Sequence, residues 1–574
     1  LIDDAFEETA RIREEVMNVL LTSQSDRAMF RKIYPFSPAF MDTLVAMSFL
    51  LQRERTALKV MLQILIEQKD TMELGEIIPV GDLFDAVSEG DEAVSEEIRR
   101  NFDHAKKLYG EKFKAILESE HQLTFDDLKK LAPNDPNALA LRNDDRLIKT
   151  LLLAALAPNV AALKDVTAAR LAALNHGTIK SPVPGHESRI VLTKCKNWAA
   201  KVGQIKIGDE PTNPTVSIQL SGVDTEGIID QARSFDNRGN RIRKIRKLIF
   251  QEFGIEDKDG LFLEYVFYWR GTKRVCHIKF DNVRELPLDS LRGNSDNWLI
   301  IIDRPFDDPG FGPKDDTAKL NDFMDEFPEG ARTMAIIPSF LSGQAQKELG
   351  KLVIIDEVLR GENFSAFTGH LTPADRQSAK SLLENQQRQL NQQMIRYLEN
   401  AYGISTTHAD ALDSSHTIEN SEHFHVLSPD FDMLPPVGAN LEKALHHLLD
   451  QVMAKQFPGH PVFDDDINLG PATLKKVFAE IESATQVPGG RLAVETAKRK
   501  DLRRIAMPLK LGYMGDTHFL LEHVWKDHFS KKEAEHGDPI TVGGLRKWMD
   551  EPRAMGLPKP LQNLIIMAFA AQTN

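Results

Sequence analysis

The chain has 574 residues, of which 42% are hydrophobic and 27% charged, a composition typical of folded proteins with buried cores. A chain of this length is expected to form about three or four domains. The formal net charge of −14 argues against a nucleic-acid footprint over the whole surface, but it leaves room for a local basic patch.

Cysteine content and hydropathy limit the compartment. The two cysteines, Cys195 and Cys276, lie far apart and in no CxxC pattern, so the sequence supports neither a disulfide framework nor a cysteine-rich zinc site. No apolar run approaches the roughly 18–20 residues that cross a bilayer. We therefore expect a cytoplasmic protein without a membrane partner. Because Leu1 already lies within a helical pattern, we also expect a segment that precedes it.

The first region, residues 1–95, is predicted to be helical. Apolar residues recur at helical spacing between Ser37 and Gln68. Ser37 is a plausible N-cap, and Pro38 suits the first position of a helix. Residues 78–81 carry a proline and a glycine, which are expected to end this helical run.

Residues 96–222 are predicted to carry more helices and then a short β region. Asp144–Leu156 and Thr167–Asn175 are the clearest helices. A turn at Pro182–Gly185 and an alternating strand at Val216–Leu220 follow them. The order of two helices and a hairpin-like tail is that of a winged helix, and we predict a winged-helix-like domain here.

Residues 223–405 are predicted to form an α/β domain. Four segments have the composition of strands: Leu261–Trp269, Arg274–Phe280, Trp298–Asp303 and Thr333–Ile337. The first two form a predicted hairpin. The helix Thr317–Phe327 lies between the last two, and this βαβ pattern implies a partly parallel sheet. A long polar helix, Pro373–Tyr402, ends the domain.

The last third of the chain begins with a predicted linker. Residues 406–436 are rich in Ser, Asp and His and end in two prolines. Residues 437–574 return to helical patterns that Gly and Pro interrupt, so we predict a helical C-terminal domain. The expected fold class is therefore mixed α and α/β, in several domains.

One segment resembles a nucleotide-binding strand. Leu352–Glu357 reads LVIIDE, the form of a Walker B strand, whose Asp would hold Mg²⁺ and whose Glu would polarise water. No GxxxxGK[ST] phosphate loop occurs in the chain, and the same apolar residues share one face of a helix, so a core helix is favoured. Trp298–Asp303 has a similar form, and the sequence leaves the function of the Pro305–Gly310 loop after it open.

Two arginines, Arg53 and Arg55, stand near the start of a helical segment. In nucleotide-driven modules an arginine on a lid helix reaches the γ-phosphate, because its guanidinium group matches the phosphate oxygens bidentately. A solvated charged turn explains the same residues without any function. The second interpretation is the favoured one on the residues alone.

Basic residues are densest in one helical segment, at Arg238, Arg241, Arg243, Lys244, Arg246 and Lys247. The interleaved aliphatic residues are expected to turn inward and leave most of the cations outside, where they would contact phosphates. In the predicted winged helix, Thr167–Asn175 is the candidate reading helix. Its Arg170 is expected to be an exposed cation that contacts backbone phosphate of double-stranded DNA. A solvated or protein-docking surface is the alternative for both segments.

The sequence shows no pattern for catalysis or for a resident metal. The histidines between His423 and His528 lack the i, i+4 spacing around a Glu that marks zinc hydrolases. No GxSxG nucleophile elbow occurs. We therefore expect no catalytic residue, no metal ligand and no cofactor in this chain.

Several stretches together resemble one family. Tyr34–Pro38 and Leu50–Leu58 are similar to the lid that follows the ATPase domain in large P-loop ATPases of the PglY type, from BREX phage-defence systems. Further similar stretches are Leu171–Gly177, Val216–Val223, Ile302–Asp307 and Leu382–Gln386. The resemblance covers most of residues 30–405 and is weaker beyond residue 436.

The resemblance implies a role in phage defence beside a DNA methyltransferase, an alkaline-phosphatase-like protein and a kinase. Such ATPases carry Walker A and Walker B upstream, in an AAA+-like domain, so ATP, Mg²⁺ and oligomerisation are implied only for the full-length protein. Residues 1–95 would then be an AAA+-type lid. Arg53 and Arg55 would be nucleotide-sensing residues, on condition that the upstream domain is present.

Two functions stay open at this point. The chain is either the C-terminal assembly or DNA-engagement part of a phage-defence ATPase, without nucleotide hydrolysis of its own, or a stand-alone interaction scaffold without nucleotide chemistry. A phosphate loop upstream of Leu1 would favour the first.

Overall fold

The computed structural model describes residues 2–22, 25–50, 57–88, 95–132, 134–257, 263–293, 297–405, 411–429, 431–436, 438, 440–464, 467–536 and 540–573. The chain divides into two compact units. Unit 1 comprises Leu1–Asn240 and Glu348–Met394, and unit 2 comprises Arg241–Lys347 and Ile395–Asn574. The chain leaves unit 1 and later returns to it, whereas the sequence predicted consecutive domains.

Helices are the main secondary structure of the described residues. The first twelve in chain order are α1 Ile2–Glu7, α2 Glu14–Leu21, α3 Arg27–Ile33, α4 Pro38–Leu50, α5 Ala57–Gln68, α6 Leu83–Ser88, α7 Glu96–Leu108, α8 Lys114–His121, α9 Phe125–Leu128, α10 Pro136–Leu156, α11 Ala168–Leu174 and α12 Glu187–Lys201. They are followed by α13 Thr225–Gln231, α14 Arg238–Glu252, α15 Leu288–Leu291, α16 Pro313–Glu326, α17 Gly343–Leu359, α18 Asn363–Phe367 and α19 Pro373–Ala401. The last are α20 Leu441–Gln456, α21 Pro471–Thr485, α22 Thr496–Asp501, α23 Val524–His536, α24 Val542–Met549 and α25 Lys559–Thr573.

The strands form three sheets within the described residues. They are β1 Ile205–Ile207, β2 Val216–Ile218, β3 Leu263–Trp269, β4 Thr272–Phe280, β5 Leu299–Ile302, β6 Thr333–Ile336, β7 Phe424–Val426, β8 Arg491–Ala493, β9 Gly512–Met514 and β10 His518–Leu521. The sheet orders are β1-β2, β3-β4-β5-β6-β7 and β8-β10-β9.

Helix α10 lies at the centre of the unit 1 core. The Asp135 side chain caps it by accepting the N–H groups of Asn137 and Ala138, and Pro136 occupies the first turn. Its residues from Leu147 to Leu153 are all buried, including Lys149 and Thr150. A helical segment that is buried all round has to be enclosed by other elements, so α10 serves as the scaffold on which the surrounding helices pack.

Residues 136–218 of unit 1 fold as three helices followed by a hairpin. Helices α10, α11 and α12 precede the antiparallel pair of β1 and β2. Thr167, just before α11, forms an antiparallel bridge with Thr215, and the N–H of Val216 donates to the carbonyl of Val166 at 2.7 Å. The predicted order of helices and then a hairpin is present, with α12 as an additional helix between the Pro182–Gly185 turn and the strands.

The five-stranded sheet of unit 2 has the predicted parallel character. Strands β4, β5 and β6 run parallel, while β3 and β7 are antiparallel to their neighbours. Arg270 and Gly271 connect β3 to β4 with φ of 46° and 77°, as a type I′ hairpin turn requires. Strands β5 and β6 are buried along their whole length, as predicted, and β5 is an unbroken apolar run.

Two segments of unit 2 differ from the prediction. Residues 406–436 were expected to be a linker, but Phe424–Val426 is strand β7, which pairs with β6. Residues 437–574 were expected to be helical, but they contain the sheet β8-β10-β9. These strands have only 3 or 4 residues each, which is too short for a period of two to stand out in the sequence.

No single helix of the described residues is long and apolar enough to cross a membrane. The pair α3 and α4, bent by 64°, reaches the necessary length and composition only when the two helices are taken together.

Candidate functional site

The residues predicted to sense or bind nucleotide are only partly described. Arg53 and Arg55 lie outside the described residues, so their role stays a prediction. Leu352–Glu357 lies within α17, and Asp356 accepts a hydrogen bond from Gln387 Nε2 at 2.7 Å. The interpretation of this segment as a helix is confirmed, and it is not a Walker B strand.

The basic segment is helix α14, and its cations face in different directions. Arg238, Arg243 and Lys247 are exposed, whereas Arg241 and Arg246 are half-buried. Arg246 donates to Asp257 at 2.8 Å and lies over the Phe250 ring.

Lys244 is a correction to the predicted cationic surface of α14. Its side chain is buried, as are those of Ile245 and Leu248. Residue 244 stands one turn before Leu248, so both belong to the inward face of the helix. The expectation of outward cations holds for Arg238, Arg243 and Lys247.

Arg170 is also less available than the sequence predicts. The Thr167 side chain caps α11 by accepting the Arg170 N–H, and the Arg170 guanidinium group donates to the carbonyls of Ala161 and Ala162 at 2.5 and 2.8 Å. The residue is half-buried, and α2 packs against α11. The Arg170 guanidinium group therefore binds the backbone at Ala161 and Ala162 within unit 1.

The structure brings together acidic side chains that the sequence analysis did not single out. They lie in unit 2, just beyond the carboxyl ends of β4 and β5, and on α16. They are Asp281, Glu285, Asp303, Asp307, Asp308 and Asp316, and we call them the acidic group. In open α/β sheets the loops at the carboxyl ends of parallel strands are the usual place of ligand sites.

Asp303 and Asp316 form the inner part of the acidic group. Both are 1% exposed. Asp303 Oδ1 accepts the N–H of Arg304 at 2.7 Å, while its Oδ2 has no hydrogen-bond partner among the described residues. Asp316 Oδ1 accepts the N–H of Arg284 at 3.3 Å.

The inner carboxyls resist ionisation. Burial, together with the charge of Asp316, raises the pKa of Asp303 well above its usual range. Burial raises the pKa of Asp316 to about 7. Two adjacent buried carboxyls cannot both be ionised cheaply, so a proton or another cation must neutralise one of them near neutral pH.

Glu285, Asp307 and Asp308 form the outer part, with one carboxylate oxygen from each within 4.8 Å of the others. Arg284 donates to Asp307 Oδ2 at 2.9 Å and lies over the Phe311 ring. The Asp308 N–H donates to Asp307 Oδ1 at 2.7 Å. These contacts fix the Asp307 carboxylate in one orientation.

A second arginine borders the outer part. Arg304 donates to Asp281 at 2.6 Å, and its guanidinium nitrogen lies 3.5 Å from Glu285 Oε2. The one sequence signal for this region was a buried strand that ends at Asp303 and continues into an Asp-rich loop. The partners on the β4 loop and on α16 were not foreseen.

The architecture defines a multidomain protein of the mixed α/β class. Three family models match it: the second domain of the BREX system ATPase PglY protein at residues 1–211, the PglY fourth domain at 228–457 and the PglY fifth domain at 472–570. The chain therefore belongs to the PglY-like proteins of BREX phage-defence systems. No solved structure matches it.

The family defines the biological setting. The resemblance found in the sequence is confirmed, and the matches extend it past residue 436. The chain has a role in a BREX phage-defence system, and the other components of such a system are its partners.

Proposed function

We propose that this chain is the assembly part of a phage-defence ATPase and hydrolyses no nucleotide itself. The observation that carries the proposal is an apolar stripe on α5 of unit 1. Leu58, Leu62 and Ile66 follow one another at helical spacing, and each is between 56% and 80% exposed. Val60 and Ile64, on the other side of α5, are buried and hold the helix in the core.

Helix α4 carries exposed apolar side chains as well. Val45 and Phe49 stand one turn apart, are 60% and 76% exposed, and border a groove of about 620 Å³ whose other wall is 156–161. Scattered apolar residues are normal on a protein surface, but ordered rows of them mark interaction sites. Two such rows within one helical region favour a protein partner.

The proposed partner that binds this apolar surface of α4 and α5 is the first domain of the same protein. The matched models are those of second, fourth and fifth domains of an ATPase, so the family has a domain that precedes the second. By their resemblance to PglY-type ATPases, residues 1–95 correspond to the lid next to the ATPase domain. An apolar lid surface would transmit nucleotide state to the rest of the protein.

We also propose that residues 136–218 form a winged-helix-like domain whose third helix is α12. In that assignment α12, rather than α11, corresponds to the reading helix. Two of its cations are paired within unit 1: Lys194 lies 2.7 Å from Asp144, and Lys201 lies 2.6 Å from Glu120. Paired cations favour an assembly role for this domain over DNA binding.

Hydrogen exchange tests the docking proposal. In the full-length protein the amides of α4 and α5 should be more protected than in this chain alone. Leu62→Glu with Ile66→Glu should remove that protection and abolish phage restriction in cells with the complete system. Lys59→Glu, which adds an acid to α5 beside the stripe, is the matched control and should change neither. Equal exchange of α4 and α5 in the two proteins would contradict the proposal.

DNA engagement is the second candidate, and the exposed cations of α14 favour it. Arg238, Arg243 and Lys247 would contact backbone phosphates, so binding would be weak and steeply salt-dependent. Reversing all three to Glu should weaken binding to duplex DNA at least about tenfold. The control reverses three exposed cations of α7, namely Arg99, Arg100 and Lys107. No binding at low salt, or equal loss in both variants, would overturn this candidate.

A further inference from the structure

We propose that the C-terminal part of unit 2 binds the phosphate backbone of duplex DNA. The contacts come from the helical segment 496–506 and from the turn 515–517 between β9 and β10. None of these residues lies on α4, α5 or α14, so the site is separate from the surfaces assigned above to docking and to DNA engagement.

Residues 471–521 have the strand order of a winged helix. Helix α21 is followed by β8, by one helical segment and by the hairpin of β9 and β10. That segment is α22 together with the π-helical turn Leu502–Ala506, which continues it without a break. Strand β10 lies between β8 and β9, and both pairings are antiparallel. In winged helices the last strand also lies in the middle, and the helix that leads into the hairpin contacts DNA.

The apolar side of the segment 496–506 packs against the sheet. Leu502 and Ile505 are buried in the same hydrophobic cluster as Met514 of β9 and Phe519 of β10. Residues three or four positions apart share one face of a helix, so Leu502 and Ile505 define the inward face. Positions 500 and 503 therefore lie on the solvent side, with position 499 at its border.

Three basic side chains occupy this solvent side. Lys500 and Arg503 are exposed, and Arg499 is half-buried. Among the described residues no carboxylate pairs with Arg499 or Lys500, and the one near Arg503 is that of the fully exposed Asp516, 4.0 Å away. The Arg499 guanidinium group donates to the carbonyl of Val494 at 2.8 Å, which orients it without neutralising its charge. The three cations thus keep their charge for an external anion.

Arg503 joins the helical segment to the hairpin turn. Its guanidinium group donates to the carbonyl of Gly515 at 2.7 Å. Asp516 and Thr517, at the tip of the turn, are exposed. The solvent side of the segment and the turn therefore form one continuous surface, in the positions of the DNA-contacting helix and the wing of a winged helix.

The local charge suits a polyanion. The whole chain has a net charge of −14, but residues 471–573 hold 16 lysines and arginines against 12 aspartates and glutamates. Lys498 and Arg504 are neutralised by Glu480 and Asp464 at 2.6 and 2.5 Å, which leaves the cations of the solvent side available. A basic surface on an acidic protein attracts nucleic acid, and each phosphate contact releases condensed counterions.

The residue types favour duplex over single-stranded nucleic acid. Proteins that hold single strands stack the bases on aromatic side chains. Residues 496–506 and 515–517 contain no aromatic residue. Lysine and arginine beside an exposed turn are instead suited to backbone phosphates, so we expect binding that tolerates any sequence and falls steeply with salt.

Fluorescence anisotropy of the whole chain with a labelled duplex of about 20 base pairs tests the site. In about 50 mM NaCl, Lys500→Glu with Arg503→Glu should weaken binding at least tenfold. The slope of log affinity against log salt should become shallower by about 2, because two phosphate contacts are lost. Lys547→Glu with Lys559→Glu, two exposed cations of α24 and α25, changes the net charge equally and should alter neither quantity. No binding by the wild type, or equal loss in both variants, would overturn the site.

A variant that gains affinity separates binding from folding. Asp516→Lys places a cation at the tip of the turn and should tighten binding at least threefold. Glu533→Lys, at an exposed position of α23, makes the same change in net charge and should leave the affinity as it is. Unchanged affinity in Asp516→Lys, with a circular dichroism spectrum like that of the wild type, would remove the turn from the site and contradict the proposed surface.

The charge reversal on α14 distinguishes this site from the second candidate function. Binding that survives the reversal of Arg238, Arg243 and Lys247 but not that of Lys500 and Arg503 would support the site. Binding lost only with the α14 reversal would overturn it and leave the second candidate standing. Hydrogen exchange of α4 and α5 tests the docking role and does not depend on either result.

Discussion

At the scale of single residues, His460 of unit 2 is a neutral histidine held among cations. It stacks on Trp269 with ring centroids 4.9 Å apart, and its Nδ1 donates to the carbonyl of Met555 at 2.7 Å. Burial, with the charges of Arg274 and Arg270, lowers the pKa of His460 to about 4. Between about pH 4 and pH 6.5 the His460 side chain is therefore neutral in the folded protein but protonated in the unfolded chain.

This difference predicts a pH dependence of stability. The unfolded chain binds more protons between pH 6.5 and 4, so the contribution of His460 is complete above 6.5 and is lost as the pH falls to about 4. Over that range it amounts to roughly 3 kcal/mol. We expect His460→Gln to flatten the fall in the free energy of unfolding of unit 2, measured by urea titration at pH 7 and 4.5. If the free energy of unfolding falls equally in both proteins between pH 7 and pH 4.5, this prediction is contradicted.

Lys149 is the buried cation of the unit 1 core. Its ammonium group lies 2.5 Å from Asp145 and 2.6 Å from Asp85, and Tyr109 donates to Asp145 at 2.7 Å. Lys149→Met should cost about 3 kcal/mol, because it leaves Asp145 buried without its cation. The exposed Lys130→Met is the control and should leave the stability essentially unchanged, because a solvated ion pair contributes little. Thermal unfolding by circular dichroism measures both, and equal effects would contradict the ranking.

At the scale of elements, α19 supports the hairpin of residues 136–218. Asn385 donates to the carbonyls of Gly203 and Ile205 at 3.0 and 2.5 Å. Gln386 donates to the carbonyls of Ala200 and Lys201 at 3.1 and 3.0 Å. Two amide side chains thus donate hydrogen bonds to the backbone carbonyls at the end of α12 and the start of β1. These carbonyls lie where the helical hydrogen-bond pattern has ended.

Removing one amide tests this support. Asn385→Leu leaves two buried carbonyls without donors and should cost about 2 kcal/mol. Amide exchange of β1 and β2 should become faster in this variant. Gln377→Leu changes an exposed amide on the same helix and should leave exchange in the hairpin unchanged. Unchanged exchange in the Asn385 variant would mean that α19 does not hold the hairpin.

At the scale of the whole molecule, the absence of a phosphate loop from the sequence predicts that this chain releases no phosphate from ATP above background. Asp356→Ala should not alter that result, because Asp356 lies on a helix and binds Gln387. Steady-state phosphate release that Asp356→Ala abolishes would contradict the prediction.

Local patterns in the sequence determined a large part of this protein. The buried strands β5 and β6, the hairpin of β3 and β4, and the long helix from Pro373 are encoded within a few neighbouring residues, and each was predicted close to its observed bounds. The family followed from short stretches in the same way. Backbone propensity and side-chain period act over one or two turns, so they are visible without a structure.

Three features could be seen only in the tertiary structure. They are the clustering of the acidic group, the burial of Lys244 and the return of residues 348–394 to unit 1. Asp281, Asp303 and Asp316 come from separate loops and a helix. They meet because β4 and β5 run parallel and end at one edge of the sheet. The side chains that share that edge depend on strand pairing between distant segments, and such pairing leaves no periodic trace in the sequence.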